Sequence, residues 1–128
     1  MSEKSLKKLL IIVTQPPYGK EEAFGAIPLA ATQQAVDNKA TIVFTSGAVH
    51  SVVSGQVSGY GPIALWQKNI PTIEGEIETN VDMIDFFVLD SDLEKRGIED
   101  AEIISGVSKI SLGGLTDLVL ECDNTFVM

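Results

Sequence analysis

The sequence predicts an α/β domain: a single layered sheet of about five mostly parallel strands, with helices on both faces. Three observations predict it. Leu9-Leu10-Ile11-Ile12-Val13 is an unbroken apolar run closed by a turn, the pattern of a central strand covered on both sides. A helix-compatible stretch and a second apolar strand follow within residues 9–45, which makes a βαβ unit with parallel strands. Strand-like and helix-like segments then alternate again from Ile84 to Met128.

Each element has a local reason. After strand one, Thr14 to Gly19 holds two prolines and a glycine, and Glu21 and Glu22 sit where acids favour the positive end of a helix dipole. The helix is expected to reach Asp37, burying Phe24, Ile27, Ala31 and Ala35, with a kink or broken turn at Pro28. Asn38 is the expected left-handed stop, and Ala40 to Thr45 is strand two. Gly47 to Val53 suits a short helix, Ser54 to Pro62 a glycine-rich loop, and Ile63 to Lys68 a helical segment that buries Trp66. Glu74 to Asp85 is acidic and weakly patterned, and no element is assigned to it. Ile84 to Leu89 reads as strand three, and Ser91-Asp92-Leu93-Glu94 as a capping box opening a short helix that ends at Gly97. Glu102-Ile103-Ile104 is the expected fourth strand, Leu112 to Leu120 a helix, and Asn124 to Met128 the last strand. Residues 1–128 therefore read as one domain.

Composition narrows the function. Nine Lys plus Arg against eighteen Asp plus Glu give a net charge of -9, with a pI near 4.4. That balance leaves no basic stripe for a phosphate backbone and no attraction to an anionic membrane, so neither nucleic acid nor membrane is expected as a direct partner. One cysteine and one histidine exclude an internal disulfide and a thiolate-imidazole zinc site. No metal or other cofactor is expected. The lysines before Leu9 resemble the start of a signal peptide, but Gln15-Pro16-Pro17-Tyr18 ends the apolar run and no small-residue cleavage site follows. A cytoplasmic location is the expectation. The apolar fraction of 45% and mean hydropathy of +0.20 supply a core and leave apolar surface for other subunits.

Ligand sites on such sheets lie beyond the C-terminal strand ends, here the Thr14 to Gly19 turn, the Ser46 to Gly61 region and the Asp90-Ser91 turn. Gln15, Tyr18, His50 and Asp90 are the pocket candidates at that edge. His50 lacks a sequence partner that would orient it as an acid or base. Gly55 to Gly61 has neither dinucleotide-binding spacing nor a phosphate-loop lysine. Glu74, Glu76, Glu78, Asp82 and Asp85 are the acids that could gather a hard cation, and a solvated acidic face is the simpler reading. Thr14, Ser46 and Ser91 are strand-end hydroxyls outside any nucleophile-elbow pattern. Cys122, the only thiol, falls at the opposite sheet edge between Glu121 and Asp123, which raise rather than lower a thiol pKa. It reads as an inert, partly buried cysteine.

Lys8 to Gly19, the alanine-rich helix and Ile42-Val43-Phe44-Thr45-Ser46-Gly47-Ala48-Val49 together resemble the opening of the DsrE/DsrF/DsrH family of TusBCD-like sulfur-relay proteins, most of all its DsrF/TusC branch. Leu93-Glu94-Lys95-Arg96-Gly97-Ile98 is similar to that family's Leu-Arg-x-Arg-Gly-Leu, and the likeness weakens between Ser54 and Asp82. The resemblance implies a cytoplasmic dimer, trimer or hexamer working in sulfur relay, in tRNA thiolation or dissimilatory sulfur metabolism. Sulfur-carrying members hold their persulfide on a cysteine at the end of strand three. Counting back from Arg96-Gly97 places Leu89 there, with Asp90 beside it, and leucine cannot carry sulfur. Cys122 aligns near an aromatic position of the final strand and does not inherit the role. The resemblance thus implies a non-catalytic subunit that assembles with itself, with cysteine-bearing DsrE- and DsrH-like subunits, or with both. The alternatives are a solitary homo-oligomeric small-ligand-binding protein and a thiol carrier using Cys122.

Overall fold

The computed structural model describes residues 7–16, 22–56 and 72–128. Five strands, Lys8–Val13 (β1), Lys39–Phe44 (β2), Asp85–Leu89 (β3), Val107–Ile110 (β4) and Asn124–Val127 (β5), form one sheet in the order β4-β3-β2-β1-β5, every pair parallel. Around it lie helices Glu22–Ala35 (α1), Ile73–Asn80 (α2), Asp90–Lys95 (α3) and Leu112–Glu121 (α4), with 3-10 turns at Ser46–Val52 and Asp100–Glu102. The expected single domain with helices on both faces is what forms.

The two-residue period of the strands sorts their side chains into two cores. Leu9, Ile11 and Val13 of β1, Ala40, Ile42 and Phe44 of β2, and Phe86 and Val88 of β3 point to one face. There they pack with Ala26, Ile27 and Ala30 of α1, Val49 and Val52 of the first 3-10 turn, Ile73 and Ile77 of α2, and Leu93 of α3. The Phe44 and Phe86 rings stack with centroids 6.4 Å apart and planes 12° from parallel. On the opposite face Leu10, Val43 and Leu89 meet Leu115 of α4, flanked by Ile12, Phe87, Ile110 and Leu118.

Several expectations need correction. Helix α1 runs through Pro28 without a break, its ring on the exposed side. Its buried stripe is Ala26, Ile27 and Ala30 with Ala31 partly covered, while Ala35 is exposed and the side chain of Phe24 lies outside the described residues. The left-handed stop is Asp37, at φ 59, rather than Asn38. Asn38 instead donates its backbone N–H to the Gln33 carbonyl at 2.8 Å, the long bond that closes such a helix end. The unassigned acidic stretch forms α2, whose N-cap Thr72 accepts the Gly75 N–H at 3.0 Å.

At α3 the capping box on Ser91 does not form: the helix starts two residues earlier than that box requires, at Asp90, with Leu89 in the N-cap place and no side-chain cap. The reciprocal box lies on Glu99 and Glu102. Gly97 does end α3, at φ 67, with Ile98 N–H donating to the Leu93 carbonyl and Gly97 N–H to that of Glu94. The expected fourth strand at Glu102 to Ile104 is also displaced. Ile103 makes a single antiparallel bridge to Val53, and Gly106, at φ 98, turns the chain into the true β4 four residues later. The apolar pair Ile103-Ile104 suggested a strand, but it is spent on the bridge and the first core. The Ile63 to Lys68 segment and Trp66 lie outside the described residues.

Candidate functional site

The C-terminal ends of β1, β2 and β3 carry the residues that any ligand on this sheet would meet first. Beyond β1, the Thr14 N–H and Oγ1 both donate to the Met128 carbonyl at 2.8 Å, which ties the β1 exit to the end of β5. Beyond β2, Thr45 is buried and donates through N–H and Oγ1 to the Val13 carbonyl. Ser46 follows at φ 51, a left-handed conformation that costs a serine steric strain. Its N–H donates to Asp92 Oδ2 at 2.7 Å, so the charge-assisted bond fixes the β2 exit to α3. Gly47 lies close to the β1 exit: a Cβ there would sit 3.0 Å from Pro16 Cγ, a tight contact.

Beyond β3, Leu89 closes the strand and packs into the second core, 8% exposed. Asp90 opens α3 and, with Leu93, Glu94, Ile98, Asp100 and Lys109, lines a depression of about 220 Å³. Lys109 Nζ contacts both Asp100 oxygens, at 2.9 and 3.1 Å, and that hydrogen bond, aided by the charges of Asp100, Asp90 and Glu94, pushes its pKa up.

Three of the four pocket candidates lie among the described residues. Gln15 is half-buried in the β1 exit, His50 is exposed on the 3-10 turn, and Asp90 faces the β4 side with Lys109. Tyr18 lies outside the described residues. No hydrogen bond joins Gln15, His50 and Asp90 to one another. Thr14 Oγ1 serves the chain's own backbone, and Ser46 is held through its backbone N–H by the Asp92 carboxylate. Sequence reading missed Asp92 as the side chain that anchors Ser46, because the bond spans 46 residues and nothing local announces it. It also left Glu74 on a solvated face. Its Oε1 instead accepts the N–H groups of Gly55 and Gln56 at 3.0 and 2.9 Å, joining the 3-10 turn to α2. Among the described residues no three His, Cys, Asp or Glu side chains are grouped so as to hold a metal ion.

Cys122 is the C-cap of α4 and lies at the N-terminal end of the sheet, in a depression of about 160 Å³ with Lys8, Lys39, Thr41, Asp85, Leu118 and Glu121. Burial pushes its thiol pKa up; Lys8 pulls it down, and Glu121 and Asp123 push it up again. The balance keeps it a neutral thiol, the weak form for nucleophilic chemistry.

A five-stranded, all-parallel sheet clad by helices on both faces, with its loops gathered beyond the strand ends, defines the class as a small α/β protein. A family model for the DsrE/DsrF-like family matches residues 7–128, and the chain belongs to that family. Its fold is similar to the crystal structure of the ychN protein from E. coli, at a TM-score of 0.80 and 23% identity over 96% of this chain and 100% of that one. It is also similar to protein MTH1491 from Methanobacterium thermoautotrophicum, whose function is unknown, at a TM-score of 0.65 and 12% identity over 89% of each chain. No curated protein matches the chain. Among the described residues no helix is long and apolar enough to cross a membrane.

Proposed function

We propose that the chain is a DsrF/TusC-like subunit of a cytoplasmic sulfur-relay system, acting as a structural or partner-binding member rather than as the persulfide carrier. Membership of the DsrE/DsrF-like family supports the sulfur-relay setting. The observation that carries the non-carrier role is Leu89. It stands at the end of β3, where the family resemblance expects the carrier cysteine, and its side chain is packed into the core beneath α4. A buried leucine offers no atom that can hold sulfane sulfur. Cys122 offers no substitute, because it sits at the other end of the strands with a raised pKa. The reactive thiol then belongs to a partner, and the chain assembles with itself, with cysteine-bearing DsrE- and DsrH-like subunits, or with both.

Incubation of the purified protein with a ³⁵S-labelled cysteine persulfide tests this. Wild type is expected to retain no label releasable by dithiothreitol. Releasable label on wild type that disappears in Cys122→Ser would overturn the proposal in favour of a Cys122 carrier.

A further inference from the structure

The two edges of the sheet are finished differently. Edge strand β4 carries Lys109, a charge that discourages another strand from pairing there, and Asp100 holds it in place at 2.9 Å. Edge strand β5, Asn124-Thr125-Phe126-Val127, has no charge, no proline and no bulge, and all four residues are exposed. Phe126 is 51% and Val127 67% exposed. By the usual rules of edge protection β5 is an open pairing site.

Its backbone sets out what can pair. Met128 uses both main-chain groups on β1, donating to the Ile12 carbonyl and accepting from Thr14, each at 2.8 Å. The two-residue period of a strand turns Phe126 and Asn124 the same way, so the N–H and C=O of Thr125 and Val127 face outward. The register places Phe126 opposite Ile11, on the α1 side of the sheet, where it shares a groove with Leu29.

We infer that a second copy of this chain docks on this edge, its β5 antiparallel to the first, with Thr125 opposite Val127 of the partner subunit and Phe126 opposite its own counterpart on a two-fold axis. This register is the one that satisfies all four outward groups of each strand with groups of the same kind. A strand that is its own complement is what a two-fold interface requires. Charge favours the same place: each copy carries -9, and β5 lets two acidic molecules meet through a segment free of like charge. The Phe126 pair falls at a non-hydrogen-bonded site, where the side chains approach most closely. The inference specifies the self-association included in the preceding proposal and is independent of its sulfur chemistry.

Cysteine cross-linking of the full chain in a Cys122→Ser background tests the register. Phe126→Cys puts two Cα atoms about 4.5 Å apart across the axis, within the roughly 4.4–6.8 Å that a disulfide spans. Asn124→Cys puts them about 14 Å apart along the strands. Mild oxidation should therefore give a dithiothreitol-sensitive dimer with Phe126→Cys and none with Asn124→Cys. Val127→Pro removes an outward N–H that the single chain does not use, so the fold should survive, as checked by circular dichroism, while the mass by light scattering falls by half. An assembly that withstands Val127→Pro and does not cross-link through Phe126→Cys would overturn the edge inference and leave self-association standing. A wild-type monomer at tens of micromolar would overturn both.

Discussion

On one face of the sheet α1, the 3-10 turn, α2 and α3 close over Ile11, Ile42, Phe44, Phe86 and Val88, and these side chains are almost wholly shut off from water. On the other face α4 is the one helix among the described residues that lies over Leu10, Val43 and Leu89, and much of its own apolar surface stays outside: Leu112 is 65% and Leu120 79% exposed. A parallel sheet ordinarily needs both faces covered. Among the described residues the first face meets that requirement, and the second meets it only in part. The difference separates a face closed over by several elements from one that leaves large apolar side chains at the surface.

The comparison can be broken most sharply on the first face. Phe44→Ala removes a fully buried ring stacked on Phe86 and should cost about 3–5 kcal/mol of unfolding free energy, read by urea denaturation. On the second face Leu115→Ala should cost less, about 2–3 kcal/mol, because the side chain reaches the solvent boundary and the site can relax. Equal costs would show that the two faces contribute alike. Gly106→Ala probes the margin of the first face: at φ 98 its new Cβ would lie 2.8 Å from Val81 Cγ1, and a loss of about 1–3 kcal/mol is expected in the same assay.

Leu120→Lys should leave stability within about 0.5 kcal/mol of wild type, since that side chain packs on little within the chain. A change in mass by light scattering without a change in stability would assign Leu120 to a subunit contact. The smallest effect is kinetic. Because burial holds the Cys122 thiol neutral, iodoacetamide should label it slowly near pH 7, with the rate rising only as the pH climbs past the ordinary thiol range. Fast labelling at neutral pH would show a reactive thiol on the second face.

Legibility followed the range of the interaction. The runs Leu9 to Val13 and Ile42 to Phe44 declared themselves because strands buried on both faces are apolar throughout. Gly97 declared itself because the left-handed turn after α3 favours a residue without Cβ. β4 was placed too early because Val-Ser-Lys-Ile is half exposed and Ile103-Ile104 is more apolar, although a single bridge to Val53 claims the latter pair. The capping box on Ser91 failed because α3 already begins at Asp90, which puts Ser91 inside the helix rather than at its cap. At the candidate site the sequence could bring Gln15, His50 and Asp90 to one end of the sheet. It could not show that Asp90 shares a depression with Lys109 and Asp100.

The sequence by itself determined the class of fold, the succession of apolar strands β1, β2 and β3, and the presence of leucine where a carrier thiol is expected, because apolar periodicity and residue identity are local properties. Only the tertiary structure decided that Asp92 holds the β2 exit, that Glu74 ties Gly55 and Gln56 to α2, and that an uncharged β5 forms the edge opposite a charged β4. Those facts depend on which strands become neighbours. That is fixed by the burial of two whole faces at once, a sum over distant residues that no single segment contains.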